Sequence, residues 1–142
     1  MNKIEFYSEI PEYQFNKNVI ARKWLKFVAE SEKKQILDLE YFFVSESKIT
    51  EINHKHLNHN YKTDIITFNY SFLTYITGEI YICIPVVINN SKIYSINNFE
   101  IELWRIIIHG LLHLIGYNDL SNSEKLVMRK TENLYLEYFD RI

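Results

Sequence analysis

The feature that most constrains this chain is a long apolar run over residues 99–115, which contains two histidines, His109 and His113. Apolar side chains occupy nearly every side of a helix formed by this run, so such a helix has to be buried. Gly116 follows directly, where a residue that tolerates positive φ commonly ends a helix and turns the chain back. The sequence therefore predicts a buried helix over residues 99–115.

The two histidines and the residues after them have the spacing of a metal site. His109 and His113 share one helix face, with Cβ atoms roughly 6 Å apart. Buried imidazoles need polar partners, and one shared cation is favoured over separate hydrogen bonds in the core. With Asp119, the string HxxxHxxGxxD matches the spacing of the HExxHxxGxxH zinc motif. We predict one metal ion held by these three residues with an open coordination position, as in catalytic sites; a merely exposed Asp119 is the alternative.

The residue after the first histidine is Gly110. Zinc peptidases of the HExxH kind place their general base, a glutamate, at this position. A glycine in the middle of a helix costs roughly 1 kcal/mol relative to alanine. We expect Gly110 to allow close approach by a substrate or by another backbone.

Hydrophobic periodicity divides the rest of the chain into short strands followed by helices. The patterns predict strands at residues 4–8, 37–45, 64–70 and 78–84, and helices at residues 15–30, 47–57, 99–115 and 121–138. Ser121 and Glu124 form a capping box at the start of the last helix. The predicted class is α+β, with a small mixed four-stranded sheet packed against helices, and a single domain over residues 1–142.

The amino-acid composition indicates which partners and which cellular compartment to expect for this protein. The net charge of −2, from 16 basic and 18 acidic residues, produces no general attraction to nucleic acid, so any RNA contact has to be local. The lone Cys83 sits in an apolar run, which favours a buried thiol in a reducing compartment. No apolar stretch resembles a signal peptide or a membrane span. We expect a soluble cytoplasmic protein with no membrane partner.

Three motifs resemble those of a known family: HGLLHLIGYND (residues 109–119), TDIITF (residues 63–68) and GEIYIC (residues 78–83). The chain resembles the YbeY endoribonucleases in these motifs and in their order and spacing. The resemblance implies a zincin-like metal-binding helix and a zinc-dependent endoribonuclease that acts on single-stranded RNA. It also implies a role in ribosomal RNA maturation and ribosome quality control, with the small ribosomal subunit as partner and no DNA.

The chain departs from the family pattern HGxLHLxGYDH at its end. Asp119 stands where the third histidine ligand is usual, and Asn118 replaces an aspartate. Since the aspartate brings a negative charge to the metal, we expect a weaker activity or a higher pH optimum. A carboxylate also admits other divalent metals, although zinc remains the expected ion. Leu57 occupies the position of an arginine that many members carry, so other cations have to contact phosphate.

Several residues are candidates for catalysis and RNA contact. Arg105 lies one turn before His109 on the same helix face, and is predicted to bind phosphate; an ion pair with an acidic neighbour is the alternative. Asp64 is predicted to orient the attacking water or to hydrogen-bond a ligand histidine, with a strand-end cap as the alternative. A basic segment before TDIITF is a candidate RNA groove, or simply a solvated loop. Its members are His54, Lys55, His56, His59 and Lys62.

Two other functions stay open at this point. A zinc metallopeptidase-like hydrolase is favoured by the HxxxHxxGxxD spacing and opposed by Gly110. A non-catalytic ribosome-assembly factor with a structural metal is favoured by the departures at Leu57 and Asp119.

Overall fold

The computed structural model describes residues 3–57 and 63–139. Strands and helices alternate as far as the second helix, after which two consecutive strands are followed by three consecutive helices. The elements are, in chain order, β1 (Lys3–Ser8), α1 (Asn18–Ser31), β2 (Gln35–Val44), α2 (Glu46–Leu57), β3 (Ile65–Asn69), β4 (Tyr75–Cys83), α3 (Ile84–Tyr94), α4 (Phe99–Ile115) and α5 (Asn122–Phe139). The predicted α+β class is confirmed. Within the described ranges no helix is both long and apolar enough to cross a membrane.

The four strands form one mixed sheet in the order β1-β2-β4-β3. β1 and β4 each pair with β2 in parallel, while β3 pairs with β4 in antiparallel fashion. Leu39, Tyr41 and Phe43 alternate along β2 and are fully buried, because one face of the sheet is covered by helices. This is the small mixed sheet that the sequence predicts.

α4 is the buried helix around which the core is built. Its apolar residues pack against β3 and β4 on one side and against α1, α3 and α5 on others. The Tyr41 hydroxyl donates a hydrogen bond to the Ile107 carbonyl at 2.8 Å, which joins α4 to the middle of the sheet. The indole N–H of Trp24 donates to the Tyr135 carbonyl at 2.9 Å, which joins α1 to α5. The predicted burial of this helix is confirmed.

β4 differs from its predicted bounds because Gly78 lies inside the strand. The strand begins at Tyr75, three residues before the predicted start. A Cβ at Gly78 would lie 2.6 Å from the Phe68 carbonyl oxygen and 2.9 Å from a methyl carbon of Leu114. The glycine therefore serves the close approach of α4 to the sheet and does not break the strand.

Gly110 also permits a close approach, but its neighbours are not the predicted ones. A Cβ at this position would lie 3.0 Å from two side-chain carbons of Ile80 and 3.1 Å from the Cδ1 atom of Ile65. The expectation of contact with a substrate or another backbone was wrong, because this side of α4 faces side chains of the sheet.

Candidate metal centre

The turn after α4 returns the chain over the histidine face of the helix. Gly116 has φ 128, in the region that favours glycine, and its N–H donates to the Leu112 carbonyl at 3.1 Å. The N–H of Tyr117 donates to the same carbonyl at 2.9 Å, which completes a glycine cap. α5 then begins with the predicted capping box, in which Ser121 and Glu124 bond each other's backbone N–H at 2.9 and 3.1 Å. These local bonds hold the loop that carries Asp119.

The three predicted ligands converge. His109 Nε2 and His113 Nε2 are 3.0 Å apart, and Asp119 Oδ2 lies 3.3 Å from the first and 3.4 Å from the second. Tetrahedral coordination with bonds of about 2.0–2.1 Å requires ligand atoms about 3.3 Å apart. The group fits a single metal ion, and its donor set of two imidazoles and one carboxylate is one that zinc accepts.

Each histidine has a partner on its other ring nitrogen. His109 Nδ1 lies 2.6 Å from a carboxylate oxygen of Glu132, and His113 Nδ1 lies 3.0 Å from the Tyr117 carbonyl oxygen. Both partners only accept hydrogen bonds, so each Nδ1 carries the hydrogen and each Nε2 presents its lone pair to the shared position. Partners of this kind orient metal-binding histidines in proteins.

The charges around the histidines separate their pKa values. Burial by itself lowers the pKa of His109, but the hydrogen bond and negative charge of Glu132 outweigh it and hold that pKa above its usual range. Burial and the nearby His109 lower the pKa of His113. Burial would raise the pKa of Glu132, but hydrogen bonds from His109 and Arg105 hold it below its usual range. Metal ligation needs an unprotonated imidazole, a state that the lowered pKa of His113 favours.

The candidate metal position opens onto a cleft of about 270 Å³ between α4 and α5. Its lining residues are Asp64, Glu102, Arg105, Ile106, His109, Asp119, Lys125, Met128, Arg129 and Glu132. Three half-buried ligands beside an open cleft resemble a catalytic metal site more than a closed structural one.

Comparison with known proteins agrees with this arrangement. The family model described as endoribonuclease YbeY matches residues 3–140. The chain belongs to the YbeY family. The predicted resemblance is thereby confirmed.

Relatives in the family align along most of their length. The endoribonuclease YbeY of Cytophaga hutchinsonii is 40% identical over 94% of this chain and 93% of its own. That of Parabacteroides distasonis is 38% identical over 92% of this chain and 91% of its own. The solution structure of TM1509 from Thermotoga maritima superposes with a TM-score of 0.67 at 26% identity, covering 96% of this chain and 89% of that one.

Arg105 lies beside the candidate metal ligands of this YbeY member, but its guanidinium has other partners. One terminal nitrogen is 2.9 Å from Glu132 Oε1, and the other donates to Asn133 at 2.8 Å. The ion pair that the sequence left open as an alternative is therefore present. A direct contact of Arg105 with phosphate would compete with both bonds.

Asp64 also lines the cleft, just before β3. Its carboxylate accepts a bond of 3.5 Å from the Thr63 hydroxyl, and its backbone carbonyl accepts one of 2.9 Å from the N–H of Cys83. Burial raises the pKa of Asp64, and the charge of His109 partly offsets this. Because Glu132 and the Tyr117 carbonyl already bond the Nδ1 atoms of the two histidines, no ring nitrogen is left for the predicted hydrogen bond of Asp64 to a ligand histidine. Its role in orienting an attacking group, with a strand-end cap as the alternative, stays a prediction.

The basic segment falls partly outside the described residues. His54, Lys55 and His56 form the exposed last turn of α2, and the ring of His56 meets Phe68 edge-on at 5.4 Å. His59 and Lys62 lie outside the described residues. Of the described part, none of the three lines the cleft.

The contribution of α5 to the site was not predicted from the sequence. Lys125, Arg129 and Glu132 all reach the cleft from this helix. Their spacing, with buried Met128 and Tyr135 on the same face, was the available signal. A carboxylate between two buried apolar residues of a helix face implies a buried partner.

Proposed function

We propose that this chain is a zinc-dependent endoribonuclease that cleaves single-stranded ribosomal RNA during ribosome maturation. The observation that carries the proposal is the convergence of His109, His113 and Asp119 at separations suited to one ion, two of which, His109 and Asp119, line an open cleft. The relatives named endoribonuclease YbeY support the reaction class. We further propose a single domain over residues 1–142, acting in the cytoplasm at the small ribosomal subunit.

In this proposal, metal binding and proton transfer are assigned to different residues of the chain. His109, His113 and Asp119 would hold the ion, which when bound would supply positive charge to a phosphoryl oxygen and would activate the attacking group. Asp64, at the cleft, orients that group and accepts its proton. The attacking group is either water or the RNA 2′-hydroxyl, and both fit the same residue roles.

Phosphate contacts fall to cations other than Arg105, whose nitrogens face Glu132 and Asn133. Lys125 and Arg129 line the cleft one turn apart on α5, and both are exposed. Within residues 3–57 and 63–139, the ion pair of Arg129 is a long one of 3.6 Å with Glu132, so it keeps donors for a ligand. Because carboxylates line the same cleft, RNA binding should also depend on the charge of the metal.

Removal of the metal tests the function itself. We expect zinc-loaded protein to cleave a labelled single-stranded RNA and chelator-treated protein to leave it intact, with activity restored by added Zn²⁺. An unfolded protein substrate is incubated in parallel. Degradation of that substrate and not of RNA would favour the peptidase, while intact RNA with a zinc-dependent rise in melting temperature would favour the assembly factor.

Replacing Lys125 and Arg129 together by alanine is expected to raise KM for RNA with little change in kcat. The salt dependence of binding should fall by a slope of about 0.7 for each RNA phosphate that these side chains no longer neutralise. Lys130→Ala is the matched control, since Lys130 is exposed on the same helix and does not line the cleft. An unchanged KM and salt slope in the double variant would contradict this phosphate site.

A further inference from the structure

Glu132 is a carboxylate almost excluded from water. It is 3% exposed, and it lies on the face of α5 that packs toward α4. One of its oxygens meets His109 Nδ1 at 2.6 Å, and the other meets Arg105 at 2.9 Å and Arg129 at 3.6 Å. A buried carboxylate is costly unless both oxygens are paired, and here both are. Burying this charged group costs more desolvation free energy than burying an apolar residue at the same position.

The second histidine is oriented by a different device. His113 Nδ1 meets the Tyr117 carbonyl, and the Tyr117 hydroxyl donates to Glu32 at the end of α1 at 2.8 Å. The acceptor for His113 is therefore a backbone carbonyl of the glycine turn. This carbonyl remains whichever side chain stands at residue 117. Of the two histidines, it is His109 whose orientation rests on a side-chain carboxylate.

We infer that Glu132 is the positioning residue that fixes the ring orientation and tautomer of His109 for metal binding, and that Arg105 acts by holding Glu132. The inference rests on the proposed function only in taking a metal ion to be bound by His109. A carboxylate that accepts from Nδ1–H leaves Nε2 free as a ligand and increases its basicity. Arg105 presents a fixed fork of donors, which holds the second carboxylate oxygen and keeps the first aimed at the ring.

The test is zinc affinity, measured by competition with a chromophoric chelator in the absence of RNA. We expect Glu132→Gln to bind Zn²⁺ about 10- to 100-fold more weakly, because a glutamine side chain accepts more weakly from Nδ1–H. Co²⁺ in place of Zn²⁺ should show an altered visible spectrum in this variant, which a purely structural role of Glu132 would leave unchanged. Glu137→Gln is the matched control, since Glu137 is exposed on the same helix.

Glu132→Asp keeps the charge with a shorter reach, and should recover part of the zinc affinity. It also provides a second test of the inference if Glu132→Gln does not fold. Zinc affinity within about twofold of wild type in folded Glu132→Gln, or in Glu132→Asp where Glu132→Gln does not fold, would overturn the inference, since removing the partner of a ligand histidine typically weakens metal binding about tenfold or more. A wild-type protein that binds no zinc would instead overturn the metal site, so the two failures are distinguishable.

The role of Arg105 is tested by a double-mutant cycle. Arg105→Met should weaken zinc binding in the wild type, but add little in the Glu132→Gln background, because it acts through Glu132. Additive losses of affinity in the two backgrounds would contradict this part of the inference. The cycle also separates positioning from RNA contact, because no RNA is present.

Discussion

Zinc-loaded His113→Ala is expected to cleave single-stranded RNA at least about a hundredfold more slowly than the zinc-loaded wild type. Removing even a hydrogen-bond partner of a metal ligand lowers metal affinity or activity by about 10- to 100-fold, and this variant removes a ligand itself. His113 supplies one of the three converging ligand atoms, at 3.0 Å from His109 Nε2 and 3.4 Å from Asp119 Oδ2. Without it, two ligands remain and the ion has no fixed position beside the cleft. The measurement is the initial rate of cleavage of an end-labelled RNA at saturating Zn²⁺.

Lys23→Ala is the control for this variant. Lys23 is exposed on α1 and does not line the cleft, so its removal should leave the rate near that of wild type. The proteins are purified in parallel, which exposes any contaminating nuclease. Equal cleavage by His113→Ala and wild type, or none by either, would remove the support for a metal-dependent ribonuclease and favour the assembly factor.

The convergence of the three candidate metal ligands could be predicted because their geometry is local. His109 and His113 are one helical turn apart, and Gly116 ends that helix with a turn whose hydrogen bonds all lie within a few residues. The spacing of the motif therefore places Asp119 near the histidines with little help from the rest of the fold. The bounds of α4 were predicted correctly for a related reason, since its apolar run is long and strongly patterned.

The partners of these residues depend on how α5 packs against α4, which spacing in the chain does not determine. Glu132 is 23 residues from His109, and Asn133 is 28 residues from Arg105. The helical spacing placed Arg105 correctly on the histidine face of α4. It could not decide between phosphate and an acidic neighbour, because the acidic neighbour comes from another helix.

The two buried glycines show the same limit. Gly110 was predicted to be a position of close approach, since glycine within a helix is unfavourable without a packing reason, whereas Gly78 was predicted only to begin a strand. The neighbour at Gly78 is the backbone of β3 together with Leu114, and the neighbours at Gly110 are Ile65 and Ile80. These contacts arise from the register of the sheet under α4, which is a property of the assembled fold.

Gly110→Glu, which restores the HExxH pattern of zinc peptidases, is expected to lower the free energy of unfolding by more than about 3 kcal/mol and to create no peptidase. Its Cβ would lie 3.0 Å from Ile80 and 3.1 Å from Ile65, so the side chain would enter the apolar contact between α4 and the sheet. Overpacking of a core costs about 1–3 kcal/mol, and an unpaired buried carboxylate costs several more. The measurement is denaturant unfolding of the metal-free protein.

Gly110→Ala separates the steric contribution from the charge. Alanine gains roughly 1 kcal/mol of helix propensity, which offsets part of the close contact with Ile80, so its net destabilisation should be much smaller than that of glutamate. Both variants are also incubated with an unfolded protein substrate in the presence of Zn²⁺. If Gly110→Glu kept the wild-type stability and degraded that substrate, residue 110 would have to face the metal cleft and not the sheet, and the peptidase alternative would regain support.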